Sequence, residues 1–506
     1  MNPLKKLGFV AIKEGRIKLT GLGMKLVAGE IDLGDAFLRC FLKWQIPNMG
    51  SREQGNAMYN INPYIATLHL IKTVNEKEES RNGKAKGLSK REFALFVPTL
   101  TNYKDINEYA TKVLLFRDCQ VGLDITSRKA ARDAFRLIFA EEFLGTKDPK
   151  QIKKLLNNLK DYGDNAIRYF RLTKYFHVRG GGFFIDLEPR RAVEINAILD
   201  TYSGEAVPFP DSAAYIDFIS DYSQPHLPWE SRDKQIEIVE NILSENNGYE
   251  KQLGLGRTAR PLLETLGDDE IAEVIIRLRA QRTDLQERID NQDSQADENL
   301  KQYITQLEAI FDYEDRPILL EKLVTLGLHA LNDAIRIKPN YPVGDDNEPT
   351  HTAPRGVPDI ECYYADFNAI CEVTMRTARD QWYNEGQPVM RHLRDFEKKT
   401  NSDDKNTYCL FIAPSIHRDT LNTFWMANKY EYEGAAQKIV ALTIAQFVKI
   451  LKALLSLREQ GKHFTHLQIQ ELYEQIMDAL RTAPNSNEWQ IKTAACVDEW
   501  TANITS

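Results

Sequence analysis

The spacing of apolar residues changes its period along the chain, and each change marks an element. Near the N-terminus, Leu7-Gly8-Phe9-Val10-Ala11-Ile12 and Arg16-Ile17-Lys18-Leu19 are short β patterns. Lys13-Glu14-Gly15 between them fits a tight turn, with Gly15 free to take positive φ. Thr20 then stands where a cap is wanted for a helix through Met24-Lys25-Leu26-Val27. The layout returns near residue 180: a helix up to Tyr175, then strands over 175–179 and 183–187 around Gly180-Gly181-Gly182. Two hairpins that follow helices and carry glycine and basic residues at their tips predict two winged-helix units. The likeness is architectural, with no residue-by-residue repeat.

Between the hairpins, residues 61–160 read as amphipathic helix, broken by a charged loop from Asn75 to Lys90. Pro208, Pro210, Pro225 and Pro228 mark a boundary over 205–230. Residues 231–311 are helical again, with Ile271, Val274, Ile275, Leu278, Leu285 and Ile289 at helical spacing and an interruption over Asn291–Glu298. From Pro317 the pattern becomes α/β. A helix runs through Leu331, two strands lie around 359–374, and a helix spans Pro388 to about Lys399. Strands at Tyr408–Ala413 and Lys438–Leu442 and a helix over Ile444–Leu457 follow. Strands alternating with helices imply a mixed sheet covered by helices. The expected fold is a multidomain α+β chain. Its parts are a winged-helix-like subdomain (1–60), a helical linker (61–160), a second winged-helix-like subdomain (161–230), a helical spacer (231–311) and an α/β domain (312–506).

Composition narrows the class. Of 506 residues, 42% are hydrophobic and 27% charged, which suits a folded chain and excludes a disordered one. No apolar run reaches the roughly 18 residues of a membrane span, and Met1–Lys6 lacks the apolar core of a secretory signal. Six cysteines without a CxxC pair argue against disulfides or structural zinc, so a reducing cytoplasm is the expected location. Net charge is -8, but residues 1–200 carry +11 and the remainder -19. A basic front and an acidic back suit one part that grips phosphates and another that holds cations; two solvated faces of opposite sign are the competing reading.

The chemistry concentrates in Pro358–Thr374, which reads as a β-hairpin turning near Asp366. In that register Asp359 lies across from residue 373, beside Glu372, so two carboxylates converge. Their repulsion is relieved by a cation between them, and hard oxygen ligands suit Mg²⁺. The competing reading is an ordinary hairpin with solvent-facing acids. Glu385, 13 residues past Glu372, and Glu321, on the helix after Pro317, add acids to the same region. Arg376, Arg379, Gln387, Arg391 and His392 could hold a scissile phosphate or leaving oxygen. For DNA phosphates the candidates are Lys5, Lys6, Lys13, Arg16 and Lys18 on the first unit, Arg168, Arg171, Lys174 and Arg179 on the second, and Arg376 and Arg391 beside the acids.

Pro358-Asp359…Glu372-Val373-Thr374, Glu385-Gly386-Gln387-Pro388-Val389-Met390-Arg391-His392 and Tyr408–Pro414 together resemble the AlwI family of type IIS restriction endonucleases, which includes related nicking enzymes. Phe41–Pro47, Ile61-Asn62-Pro63 and Arg168–Arg171 are similar too, so the resemblance covers most of the chain. It implies an N-terminal part that reads a short asymmetric site in double-stranded DNA. It also implies a C-terminal nuclease of PD-(D/E)xK type that uses Mg²⁺ and cuts a few base pairs outside that site. By position, Asp359, Glu372, Glu385 and Glu321 fall on the family's catalytic acids, with Asp359 and Glu372 as metal ligands. Two departures stand out. Thr374 occupies the place of the usual lysine, and relatives carry further residues ahead of the first wing, which leaves open whether an N-terminal recognition element is missing or replaced. Two alternatives remain: a strand-specific nickase that needs a second nuclease subunit or a transient homodimer for the other strand, and a winged-helix DNA-binding regulator without activity.

Overall fold

Thr20 starts the first helix after the hairpin, as its position suggests: its hydroxyl accepts the Gly23 N–H at 3.1 Å, and the helix runs Gly21–Val27. The computed structural model describes residues 3–13, 16–48, 59–179, 184–313, 316–331, 333–344, 347–400 and 405–505. The turn residues Glu14, Gly15, Gly180–Gly182 and Phe183 lie outside these, as do the side chains of Lys13 and Arg179. The chain divides into two compact units. One comprises Met1–Gly248, Gly256–Thr283 and Gly344–Glu348; the other comprises Tyr249–Leu255, Asp284–Val343 and Pro349–Ser506.

In the first unit, β1 (Val10–Lys13) and β2 (Arg16–Leu19) pair antiparallel with Val10 opposite Leu19. A short helix (Pro3–Lys6) precedes them. The helix Pro63–Asn82 begins at the Asn62 cap with Pro63 in its first turn, and extends through the charged residues from Asn75 that the sequence pattern assigns to a loop. Those charges decorate its last turns. Gly83, at φ +70°, ends the helix with its N–H on the Glu79 carbonyl, a left-handed position that glycine takes without strain. β3 (Leu88–Ser89) follows, and Ser89 and Glu92 form a capping box for Lys90–Phe96. β4 (Phe176–Arg179) and β5 (Phe184–Leu187) form the second hairpin. β3 joins it in the order β3-β5-β4, a pairing across more than ninety residues that local periodicity does not reveal. Phe41, Tyr64, Phe170 and Phe176 pack ring to ring at 5.2–5.6 Å and fix these elements to one core.

The stretch expected to be a helical spacer consists of Arg232–Gln252, Asp268–Ser294 and Asp297–Glu308. The interruption at Gln295-Ala296 falls within the polar stretch predicted to break it.

The second unit holds a sheet of five strands: β6 (Arg336–Pro339), β7 (Ile360–Tyr363), β8 (Phe367–Val373), β9 (Asn406–Ala413) and β10 (Ile439–Thr443). Their order is β10-β9-β8-β7-β6. β6, β7 and β8 are antiparallel, and β8, β9 and β10 are parallel. Parallel neighbours need crossovers, which the helices Gln387–Thr400 and Arg418–Lys429 provide. Phe367, Ile370, Cys371, Leu410, Phe411 and Ile412 are fully buried between sheet and helices. The architecture is mixed α+β, mostly helical, with its main sheet toward the C-terminus. All six cysteines are free. No described helix is long and apolar enough to cross a membrane.

Candidate active site

The β7–β8 hairpin sets the geometry. Its loop closes with the Tyr364 N–H on the Phe367 carbonyl at 3.0 Å, and the ladder sets Ile360 opposite Cys371. The next step outward places Asp359 opposite Glu372, not residue 373. This one-residue correction follows from the loop length, and it puts both carboxylates on the same face of the sheet. The Val373 N–H donates to Asp359 Oδ2 at 2.8 Å and fixes that side chain against β8.

Glu321 comes from the helix Arg316–Ala330 and is buried; its Oε2 accepts the Ala353 N–H at 3.0 Å. Glu385 sits on a single π-helical turn, Trp382–Gly386, that leads into the Gln387–Thr400 helix. Its Oε1 accepts the Thr374 hydroxyl at 2.9 Å and lies 3.5 Å from the Arg376 guanidinium. Insertion turns of this kind recur at functional sites, because they re-aim one side chain without ending the helix.

Electrostatics tie the four acids together. Burial, then Glu372 and Glu385, push the Asp359 carboxyl well above its ordinary range. Burial, Glu385 and Glu321 do the same to Glu372. Burial and Asp359 raise Glu321 to about 9, and burial raises Glu385 against the opposing pull of Thr374 and Arg376. Asp359, Glu372 and Glu321 are each driven toward the neutral form partly by the charge of another of the four, so the group gains from any cation that enters. Among the described residues no three His, Cys, Asp or Glu side chains are gathered to hold a metal by themselves. An ion held here would take part of its shell from water or substrate. Mg²⁺ accepts such a shell, with one or two carboxylates and oxygen donors from outside, so the donor set fits it.

His392 is the residue whose role the sequence left open. Its Nδ1 lies 2.8 Å from Glu372 Oε1. Burial and Arg391 push the imidazole pKa down. When a cation holds Glu372 ionised, a neutral ring can bond it only through its N–H, and Nδ1 then carries the proton. Nε2 is buried and makes no hydrogen bond among the described residues. Spacing within the Gln387–Thr400 helix hints at this partner, since His392 is one turn past Pro388, but only the packing reveals it.

The basic candidates divide. Arg391 is exposed, and Arg376 is exposed but paired with Asp380 and Glu385. Arg16, Lys18 and Arg168 are exposed, and Lys5 and Lys6 are half-buried. Lys174 pairs with Asp32 at 3.5 Å. Arg171 is a correction: it is buried at 7% exposure near the end of the Pro149–Leu172 helix, because its helix turns that position inward, so it is not presented to a phosphate from outside.

The model of the AlwI restriction endonuclease family matches residues 5–450. The chain belongs to the AlwI restriction endonuclease family. It is thereby a restriction enzyme, a nuclease acting on DNA, and the AlwI match spans both the basic front of the sequence and the acidic cluster. The small subunit (R.BspD6I2) of the heterodimeric restriction endonuclease R.BspD6I is a similar solved structure. It is 22% identical, covers 39% of this chain and 98% of its own, and has a TM-score of 0.33, too low to support an argument from shape. No curated protein matches the chain.

Proposed function

We propose that the chain is a type IIS restriction endonuclease that binds a short asymmetric site in double-stranded DNA and hydrolyses phosphodiester bonds a few base pairs outside it with Mg²⁺. The reading rests above all on the opposition of Asp359 and Glu372 across β7 and β8, with Glu321 and Glu385 electrostatically coupled to them. Paired acids at adjacent strand ends of a mixed sheet are what a PD-(D/E)xK-type nuclease requires. The two N-terminal hairpins, each following a helix, are read as winged-helix units that hold the recognition site.

Asp359 and Glu372 would hold the metal. When bound, the ion supplies positive charge for the phosphate under attack and for deprotonation of water. The chain's own groups do the rest. The Val373 N–H keeps Asp359 aimed, and His392 Nδ1 keeps Glu372 aimed. Thr374 and Arg376 keep Glu385 beside them. Thr374 brings no amine to the position where a lysine is usual, so water orientation falls to the carboxylates. Arg391, which is exposed, would meet a DNA phosphate.

One acidic centre cuts one strand, so a double break takes a second nuclease subunit or a transient homodimer. Free thiols suit action in the bacterial cytoplasm. Digestion of a large defined DNA with Mg²⁺, followed by run-off sequencing of the ends, tests the reading. Ends at a fixed offset from one asymmetric sequence support it, with linear plasmid marking double-strand cutting and open circles marking nicking. Absence of cleavage on every DNA tried rejects it in favour of a binding protein.

A further inference from the structure

The catalytic face of the sheet continues beyond the acids. Side chains alternate along strands, so Glu361 and Tyr363 on β7, and Asn368 and Ile370 on β8, share the face of Asp359 and Glu372. Arg336 and Lys338 on β6 pair with Tyr363 and Glu361 and share it too. The Gln387–Thr400 helix lies along this face: His392 meets Glu372, Phe396 packs on Tyr363, and Lys399 bonds Glu361 at 2.9 Å.

At the far end is a cleft of about 520 Å³, whose lining includes Arg336, Lys338, Lys399, Lys405, Glu361 and Asn368. Among the described lining residues, four cations face one acid. Burial acts to raise the Glu361 carboxyl, but hydrogen bonds from Tyr363 and Lys399 hold it below its ordinary range, so it stays ionised and the lining keeps a net positive charge. Asn368 gives a second, independent sign. It is 1% exposed, and its Nδ2 makes no hydrogen bond among the described residues. Buried amide donors are nearly always paired. An unpaired one among cations suits an anionic oxygen from outside.

From Asp359 to Tyr363, and from Glu372 to Asn368, the strands advance about 13 Å. Successive phosphates on one DNA strand are spaced about 3.4 Å along the duplex axis. We propose that this cleft grips a phosphodiester of the DNA being cut, within about four nucleotides of the scissile bond. It would act as a second anchor that sets the strand's angle across the acids. The inference rests on the nuclease reading above.

The test uses the full chain with Mg²⁺ and a duplex bearing its site. Arg336→Ala/Lys338→Ala and, separately, Lys405→Gln should raise KM about three- to tenfold and leave kcat within about twofold. They should also flatten the dependence of log affinity on log salt by about one for a lost phosphate contact. A single uncharged methylphosphonate placed within four nucleotides of the cut should weaken wild-type binding and cost the double variant nothing more. Unchanged KM and salt slope in variants that melt with the wild type, while wild type cuts, overturn the cleft's role alone. A wild-type chain that cuts no DNA overturns the nuclease reading, and the cleft's role with it.

Discussion

Nδ1 of His392 lies 2.8 Å from Oε1 of Glu372, joining the Gln387–Thr400 helix to the end of β8 at the carboxylate proposed to hold metal. A histidine that donates to a metal-binding carboxylate fixes its rotamer, and loss of such an outer partner commonly costs 10–100-fold in metal affinity or activity. His392→Ala should therefore shift the Mg²⁺ concentration for half-maximal cleavage upward by about that factor and leave DNA binding in Ca²⁺ unchanged. His392→Asn, which keeps an N–H, should recover part of the loss. An unshifted Mg²⁺ midpoint in His392→Ala would make the histidine purely structural.

Glu321 gives a pH prediction for metal-free protein. Its folded pKa of about 9 stands above the unfolded value of 4.5, so the folded state binds the extra proton. For an acid raised in this way the stabilising contribution is complete below pH 4.5 and fades as pH rises toward 9. Glu321→Gln keeps a neutral group of the same shape. In EDTA it should melt with the wild type near pH 4.5 and gain about 1 kcal/mol or more by pH 8. Thermal melts at the two pH values check this; equal melting at both would show that Glu321 is not raised.

A histidine far along the chain loses its contribution in the same direction of pH, for a different cause. His466 is buried between Asp333 and Asp366, with Nδ1 2.7 Å from the first and Nε2 2.6 Å from the second. Its ring stacks near Tyr364. Burial works against its charge, but the bonds to Asp366 and Asp333 hold its pKa above 6.5. This contribution is complete below pH 6.5 and is lost as pH rises through the elevated folded value. Because both aspartates are half exposed, Asp366→Asn should cost only about 1 kcal/mol below that range and less above it. A destabilisation that grew with pH would contradict the pairing.

Much of this was legible in the sequence, and the gaps have physical causes. The strands β7, β8, β9 and β10 follow from runs of apolar residues, and the Arg316–Ala330 helix follows from Pro317 in its first turn. The hairpin register was off by one, because periodicity fixes which residues alternate and not how the loop closes. β6 lacks an apolar run, and β3 is too short to show a pattern and is held by pairing with a distant partner. The helix through Asn75–Asn82 is hidden because its run of charges, all but Glu78 at least partly exposed, looks like loop composition. Arg171 reads as a surface cation beside Arg168 and Lys174, yet its helix turns it inward. The acids at positions 359, 372, 385 and 321 were singled out from residue type and spacing; the bonds from Val373, Ala353, Thr374 and His392 that aim them exist only in the fold.

Arg168 and Arg171 offer a direct contrast. Exposed Arg168 changed to Ala should leave the melting temperature unchanged and reduce the salt slope of DNA binding by about one if it meets a phosphate. Buried Arg171→Ala removes packed methylenes and buried donors and should cost about 1–3 kcal/mol of stability. Denaturant melts beside salt titrations separate the two. Equal effects on stability would contradict the burial assigned to Arg171.

The most direct measurement compares Glu372→Ala with wild type on the same DNA for cutting in Mg²⁺ and binding in Ca²⁺. The acidic cluster as catalytic centre requires specific binding within about threefold of wild type, since Glu372 reads no base, with cleavage down by at least about a thousandfold, as expected when a group acting in the transition state is removed. Robust cleavage by Glu372→Ala would place the chemistry elsewhere in the chain.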